Sequence, residues 1–440
     1  MELFEQKIAV NQLQIGMYVC RLDRSWHETD YPLQGLYIKD QADIDHLAKY
    51  CQYVFIDEKR SRSALIPKHT QAITQNRPQP LRAVPKNTTP FFIDPKSWRQ
   101  RHCVEHYSVT TTLNAELKLS APLMYLLEEQ LAYLIDKINR RRRFDIEPIA
   151  ESAADLVESL IRNPDALAWL CQIKLTRKPI YLHIMRLAVW GGIVGRQMGL
   201  NRFSLVHLTM TLMMTGIGKS LIKQVILSNH NVYNHTPEYQ EHLTETLYYL
   251  KQSHFSCEDI ISTIQAYCER HNGSGYPNAL TGGKIPFLAR VAGLVDTFDL
   301  MVHPYEAKQS ISPGNAIARL NKCKSTLFDP NLVETFVQAI GIYPTGSLVE
   351  INNGIIGVVV SQSYEKRIQA AIIPLINRDK KRFAKFKIFD LHLTGSDAMQ
   401  NDRIIIKRGL PFHLAPPKLV AAAHEQLFEE KKGFFTKIFE

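Results

Sequence analysis

Glu269-Arg270-His271-Asn272-Gly273-Ser274-Gly275-Tyr276-Pro277 is the stretch on which the reading of this 440-residue chain turns. It is a punctuated loop set in helical sequence. Gly273 and Gly275 allow backbone angles that other residues resist. Asn272 suits a turn, and Pro277 stiffens the exit. Tyr276 offers a ring for stacking or a hydroxyl for bonding. The segment continues through Ile285-Pro286, where helical spacing resumes, and Ala289-Arg290 to Asp296.

Outward from the loop, residues from about 104 to 340 are helical almost throughout. Leu123, Leu127, Leu131, Leu134 and Ile138 recur at helical spacing. Later helices are predicted near 150–162, 165–175, 180–199, 203–214, 236–252, 257–269, 286–302, 313–322 and 330–339. Beyond Pro344 the texture becomes β. Leu348–Ile351 and Ile355–Val360 flank Asn352-Asn353-Gly354, a hairpin signal, and residues 369–376 and 386–393 read as further strands. At the other end, residues 7–57 alternate as strands around a short helix near 42–50. Six prolines between Pro67 and Pro95 block regular structure between these parts.

The predicted organisation is therefore a small N-terminal α+β module (1–64), a Pro-rich linker (65–103), connecting helices (104–145), a helical domain (146–340), a β-rich extension (341–410) and a helical tail (411–440). The fold class is multidomain, with an all-α bundle as its core.

Composition fits a soluble globular protein: 45% hydrophobic and 22% charged residues. Seven scattered cysteines without a CxxC pair argue against a disulfide scaffold or structural zinc, and for a reducing compartment. Met1–Lys7 lacks the pattern of a signal peptide. No apolar run reaches the roughly 20 residues of a membrane span. A cytoplasmic location is expected. The net charge of +10, with a sequence pI near 9.1, favours anionic partners. Arg140–Arg143 closes a helical pattern, where cations oppose the helix dipole favourably.

With these residues in view, positions 180–340 resemble an HD-GYP domain, the HD-superfamily branch that hydrolyses cyclic di-GMP in bacteria. Gly16-Met17-Tyr18-Val19 and Leu22–Trp26 resemble the small domain that often precedes it, and the strands after Thr345-Gly346-Ser347 resemble the extension that often follows. The resemblance implies an HD-superfamily bundle. It also implies a centre of two or three metal ions, bridged by a carboxylate and capped by histidines, that activates water.

Carried over by position, His183 takes the place of the family's first histidine, His242 that of a later one and Asp296 that of the last carboxylate. The His-Asp pair that names the superfamily is replaced by Thr215-Gly216, ahead of Ile217-Gly218-Lys219. The paired histidines before Glu269 are replaced by Tyr267-Cys268. Gly216 supplies no bridging carboxylate. His183, His242 and Asp296 leave room for at most a single, weakly bound Zn, Fe or Mn ion, and a Cys268 thiolate would favour zinc. Lys219 stands where the family keeps a lysine that approaches phosphate, and is the catalytic candidate if the chain is active. Gly273, Gly275, Tyr276, Pro277 and Arg290 are the candidate binding residues, Arg290 through bidentate contacts.

The resemblance thus implies a regulator of cyclic di-GMP signalling with a degenerate metal site. Its expected partner is cyclic di-GMP or a diguanylate-cyclase-type protein, with nucleic acid disfavoured. An active phosphodiesterase with an unusual centre, and a purely structural interaction module, are the alternatives.

Overall fold

Helix follows helix from residue 113 in the structure, a computed structural model that describes residues 5–23, 36–38, 41–57, 61, 106–173, 179–223, 226–227, 236–253, 255, 257–352, 354–362, 370–391, 405–414 and 417–428. Two units separate, residues 1–90 and 91–440. The Pro-rich stretch and Arg24-Ser25-Trp26 lie outside the described residues.

In the first unit, strands β1 (Glu5–Ala9), β2 (Tyr18–Leu22), β3 (Leu36–Tyr37) and β4 (Tyr53–Asp57) form an antiparallel sheet in the order β1-β4-β2-β3. Helix α1 (Gln41–Ala48) connects β3 to β4. Val19, Leu22, Val54 and Ile56 point with Ile44 and Leu47 into a small separate core.

The second unit begins with α2 (Leu113–Asn139), α3 (Glu147–Arg162), α4 (Pro164–Ile173), α5 (Pro179–Gln197) and α6 (Arg202–Thr215). It continues with α7 (Pro237–Gln252), α8 (Glu258–Ala266), α9 (Phe287–Val302), α10 (Pro313–Lys322) and α11 (Pro330–Ile340). Starts are set by local chemistry. Asn201 accepts from Ser204 N at the head of α6, and Asp329 accepts from the Asn331 and Leu332 amides at the head of α11. Helices α5 and α9 are buried around most of their circumference, from His183 to Arg196 and from Val291 to Val302. A helix apolar on all sides belongs inside a bundle. Helix α5 accordingly packs against α4, α6, α9 and α11. These two central helices carry the side chains of the candidate site.

The C-terminal sheet comprises β5 (Leu348–Ile351), β6 (Ile356–Gln362), β7 (Ala370–Ile376), β8 (Phe389–Asp390) and β9 (Ile406–Leu410), ordered β8-β7-β6-β5-β9 and antiparallel throughout. Gly354 turns the β5–β6 hairpin at φ +71. One face of the sheet, with Val358, Val360, Ile373 and Leu375, joins the helical core. The other buries Val349, Ile351, Val359 and Ile372 in a second cluster.

One element differs from expectation, and the helical tail shows what it packs against. Of the strand predicted over 386–393, the described part, 386–391, forms strand only at Phe389–Asp390, with Gln426 gripping the Phe386 backbone at both N and O. Within the tail, α12 (Pro417–Phe428) docks on α4: Trp169 Nε1 donates to His424 Nδ1 at 3.0 Å, and Phe428 meets the indole edge-on.

One buried ion pair ties α2 to α3. Glu116, fully buried, accepts from Arg162 Nε at 2.9 Å and from its terminal nitrogen at 2.8 Å, and from Thr111 Oγ1 at 3.0 Å. Burial pushes the carboxyl up, but the Arg162 and hydroxyl bonds outweigh it and hold it below the usual range. A depressed carboxyl contributes stability above its unfolded value of about 4.3 and loses it as the pH falls. Arg162→Met strands the buried carboxylate, so it is expected to cost about 3 kcal/mol at pH 7. That deficit should narrow toward pH 4, where the stranded Glu116 protonates. Urea unfolding at both pH values measures it; a deficit that widens in acid contradicts the assignment.

Candidate functional site

Two pairs of residues three apart face each other across α5 and α9. His183 and Arg186 lie on α5, Asp296 and Asp299 on α9, and i,i+3 spacing puts each pair on one helix face. His183 Nδ1 is 2.7 Å from Asp299 Oδ2, and Arg186 holds both oxygens of Asp299, at 2.7 and 3.0 Å. Lys219 enters from the 3-10 turn Gly218–Leu221 that follows α6. Its Nζ lies 2.5 Å from Asp296 Oδ1 and 3.0 Å from His183 Nε2. His183 Nε2 also lies 3.1 Å from Asp296 Oδ1, so the ring touches both carboxylates and the lysine, its donor and acceptor roles set by the tautomer. The lysine is 0% exposed and Asp299 likewise; Asp296 is 8% exposed.

The electrostatics follow from this enclosure. Burial would raise the Asp296 carboxyl, yet the Lys219 ammonium and the His183 bond drive it far below the usual range. Asp299 is lowered in the same way, with Arg186 overcoming burial. Burial, then Arg186, pushes the nearby His303 down to about 3, so its ring is uncharged at neutral pH. Two cations and two carboxylates thus alternate through His183.

A second, uncharged group adjoins the first. His242 on α7 turns Nδ1 to the Tyr239 carbonyl oxygen and Nε2 to the Tyr267 hydroxyl at 2.5 Å. Nδ1 is therefore the donor, and Nε2 accepts from the phenol. Cys268 Sγ is 3.9 Å from the same Nε2, and the Tyr276 hydroxyl faces that thiol. Burial pushes the Cys268 thiol up to about 11 and raises the Tyr239, Tyr267 and Tyr276 phenols. All remain protonated, as donors rather than anionic ligands. The Lys219 ammonium lies 5.8 Å from the centre of the Tyr267 ring and links the two groups.

Thr215 and Gly216 end α6 with no side chain turned to this centre. The Thr215 hydroxyl donates to the Leu212 carbonyl at 2.8 Å. A Cβ on Gly216 would lie 2.2 Å from Ile184 Cγ1, and Ile184 is fully buried. The apolar core occupies the space a carboxylate at 216 would need.

The glycine-tyrosine-proline loop is a pinned structure. Glu269 accepts from the Asn278 and Leu280 amides at 2.7 and 2.9 Å, and Asn272 Oδ1 accepts from Ser274 N and Oγ. Gly275 passes so close that a Cβ would sit 2.4 Å from Glu269 Cα and Arg270 N. Gly273 has φ +84, and the Tyr276–Pro277 peptide is cis. Tyr276 is 7% exposed and serves as an inward anchor, while Asn272, Ser274, Pro277 and Asn278 form the outer rim. Arg290 donates to Asp329 Oδ2 at 3.1 Å and lies over the Phe287 ring.

Of the residues singled out from sequence, the fold gathers His183, Lys219 and Asp296 in one group and His242, Tyr267, Cys268 and Tyr276 in the next. Thr215 and Gly216 close the adjoining wall, and Arg290 is engaged with Asp329. Sequence reasoning missed Arg186, Asp299 and Tyr239; the matching i,i+3 spacings of His183/Arg186 and Asp296/Asp299 were the available signal.

Comparison with known proteins agrees with this architecture. The family described as a domain of unknown function, DUF3391, matches residues 5–149, and the HD domain matches residues 170–332. The cyclic di-GMP phosphodiesterase PA4108 of Pseudomonas aeruginosa is 23% identical over 91% of both chains. The cyclic di-GMP phosphodiesterase PdeB of Borreliella burgdorferi is 24% identical over 42% of this chain and 50% of its own. Among solved structures the chain is similar to Bd1817, an HDG"Y"P protein from Bdellovibrio bacteriovorus. That structure has 15% identity and a TM-score of 0.40, with 76% of this chain and 98% of that one covered. The chain carries an HD domain over residues 170–332, and these relatives support its likeness to the HD-GYP family.

HD-domain phosphodiesterases usually bind divalent metals, and the described residues do not fit such an ion. Among the described residues no group of three or more His, Cys, Asp or Glu has the spacing to hold one. His183 Nε2 and Asp296 Oδ1 both already face the Lys219 ammonium, and His242 Nε2 faces a phenol.

Lys219→Met removes the ammonium and leaves Asp296 buried without its counter-ion, an expected loss of about 3–5 kcal/mol. Adding Asp296→Asn should recover more than half of it, since the stranded charge goes too. Denaturant unfolding of both variants measures the coupling. A loss below about 1 kcal/mol in the single variant would mean the pair is solvated like a surface ion pair.

Proposed function

We propose that this protein is a non-catalytic HD-GYP regulator of cyclic di-GMP signalling, which binds the nucleotide or a signalling partner and does not hydrolyse it. One observation carries the reading: each histidine nitrogen that would face a metal is occupied by a group from the chain itself, His183 Nε2 by Lys219 and Asp296, and His242 Nε2 by Tyr267. A buried ammonium has replaced a divalent ion as the counter-charge of Asp296. It supplies one positive charge and no open coordination position, so it cannot activate water as a metal does. The filled space beside Gly216 supports the same reading. Cyclic di-GMP enters as ligand because the relatives are named as its phosphodiesterases.

In this proposal the outer rim of the loop at 272–278 is the recognition surface, held rigid by Glu269 from below and by Tyr276 packed inward. Arg290, fixed by Asp329, is the phosphate contact. Lys219 acts as a structural cation.

Hydrolysis assays with manganese or iron supplied are expected to show no turnover of cyclic di-GMP. The quadruple variant Thr215→His, Gly216→Asp, Tyr267→His, Cys268→His should also stay silent, because Ile184 fills the place of the new carboxylate; turnover should require Ile184→Ala in addition. Metal-dependent turnover by the unaltered protein would make it an enzyme and end the proposal. Binding is tested separately by calorimetry. Arg290→Ala should weaken cyclic di-GMP by about 1.5–3 kcal/mol, as for a lost charge-assisted hydrogen bond. Asp329→Asn, which keeps the guanidinium, should weaken it less; equal losses would make Arg290 a structural residue only.

A further inference from the structure

The C-terminal sheet carries a concentration of charge that the nucleotide reading does not use. Arg378, Lys380, Lys381, Arg382, Lys385 and Lys387 fall within ten residues, all six are exposed, and Asp379 is the one acid among them. Among the described residues none of the six forms an ion pair; the pairs nearby, Lys407 and Arg408 with Glu350, belong to β5 and β9. Six exposed cations close together in sequence repel one another, most strongly between neighbours nearer than the Debye length of about 8–10 Å.

The segment is nevertheless well built. Asn377 N donates to Lys381 O at 2.8 Å, Lys380 N to Asn377 O at 3.0 Å, and Lys381 N to the Asn377 side chain at 2.9 Å. Phe383 N returns to Leu375 O at 3.1 Å. Phe386 is 8% exposed and tied to Gln426 of α12, so Lys385 and Lys387 are held outward on either side of it. Directly after Lys387 come Ile388 and Phe389, 44% and 43% exposed, at the β8 edge of the sheet. A structured basic platform thus ends in two bulky apolar side chains open to solvent.

We infer that this platform docks on an anionic bilayer surface, its cations meeting lipid phosphates and Ile388 and Phe389 entering the headgroup boundary. Polybasic clusters gain about 1 kcal/mol per cation at such a surface, and exposed apolar side chains add burial in the interface. Nucleic acid fits less well. Phe383 and Phe386 pack against the core, so Phe389 is the one exposed ring in the segment and no row of rings is available for successive bases, and the Asn377 side chain, the amide in the turn, is spent on the Lys381 backbone. The inference stands whether or not the cyclic di-GMP reading holds.

Flotation of the full chain with vesicles tests it. Retention is expected on equimolar phosphatidylserine and phosphatidylcholine and absent on phosphatidylcholine alone, falling as salt rises. The variant Lys380→Gln, Lys381→Gln, Arg382→Gln should bind the anionic vesicles about a hundredfold more weakly, three cations at about 1 kcal/mol each. Ile388→Ser with Phe389→Ser should weaken binding about tenfold while leaving the salt dependence in place. All substituted side chains are exposed, and an unchanged melting temperature verifies the fold. No retention on anionic vesicles, or equal retention by the triple variant, overturns the inference. So does duplex DNA that binds the chain more tightly than the vesicles and loses that binding in the triple variant.

Discussion

A fully buried lysine ammonium beside a buried carboxylate is the constraint around which the helical domain is arranged. Removing either ion from water costs several kcal/mol, and their attraction offsets this only when the geometry is close and the remaining hydrogen-bonding capacity is met. Here Lys219 Nζ meets Asp296 at 2.5 Å and His183 at 3.0 Å, His183 passes its other nitrogen to Asp299, and Arg186 closes the series. Two positive and two negative charges alternate, so no member is left uncompensated. This requires α5, α9 and the turn after α6 to hold one mutual position, because a shift of about an ångström would strand a charge.

The histidine–carboxylate half of this arrangement has the form of a metal site's outer shell, in which a ligating imidazole hands its other N–H to a carboxylate. Asp299 and His183 keep that relation. What differs is the group on the inner nitrogen. An ammonium brings one charge and three hydrogen-bond donors, and it is covalently attached to the turn Gly218–Leu221. Around His242 the substitution is a phenol, kept protonated by burial. Both contacts leave the two histidines hydrogen-bonded within the chain, and the centre is thereby part of the folded core.

Rigidity is carried outward from this core by the loop after α8. Glu269 leaves the helix end and binds two loop amides, Tyr276 drops into the uncharged group, and Gly275 permits the close pass between them. The outer rim of the loop is therefore positioned by the same packing that encloses His242. The C-terminal sheet is joined to the bundle through its apolar face and through α12 on α4, leaving its β7–β8 connection to project charge.

Much of this was legible along the chain. Helix spans, the turn at Gly354 and the loop at 269–277 follow from periodicity and turn chemistry, which act over a few residues. Partnering inside the core was not legible, because it joins residues far apart in the chain. Lys219 reaches Asp296 across 77 positions and His183 across 36, and Tyr267 caps His242 across 25. Ile184 fills the space beside Gly216, and Arg290 is claimed by Asp329. The sequence by itself determined which side chains were on hand and which helices would carry them. The tertiary structure decided that an ammonium and a phenol would stand on the two histidines, because only the crossing of the packed helices brings those groups within hydrogen-bonding distance.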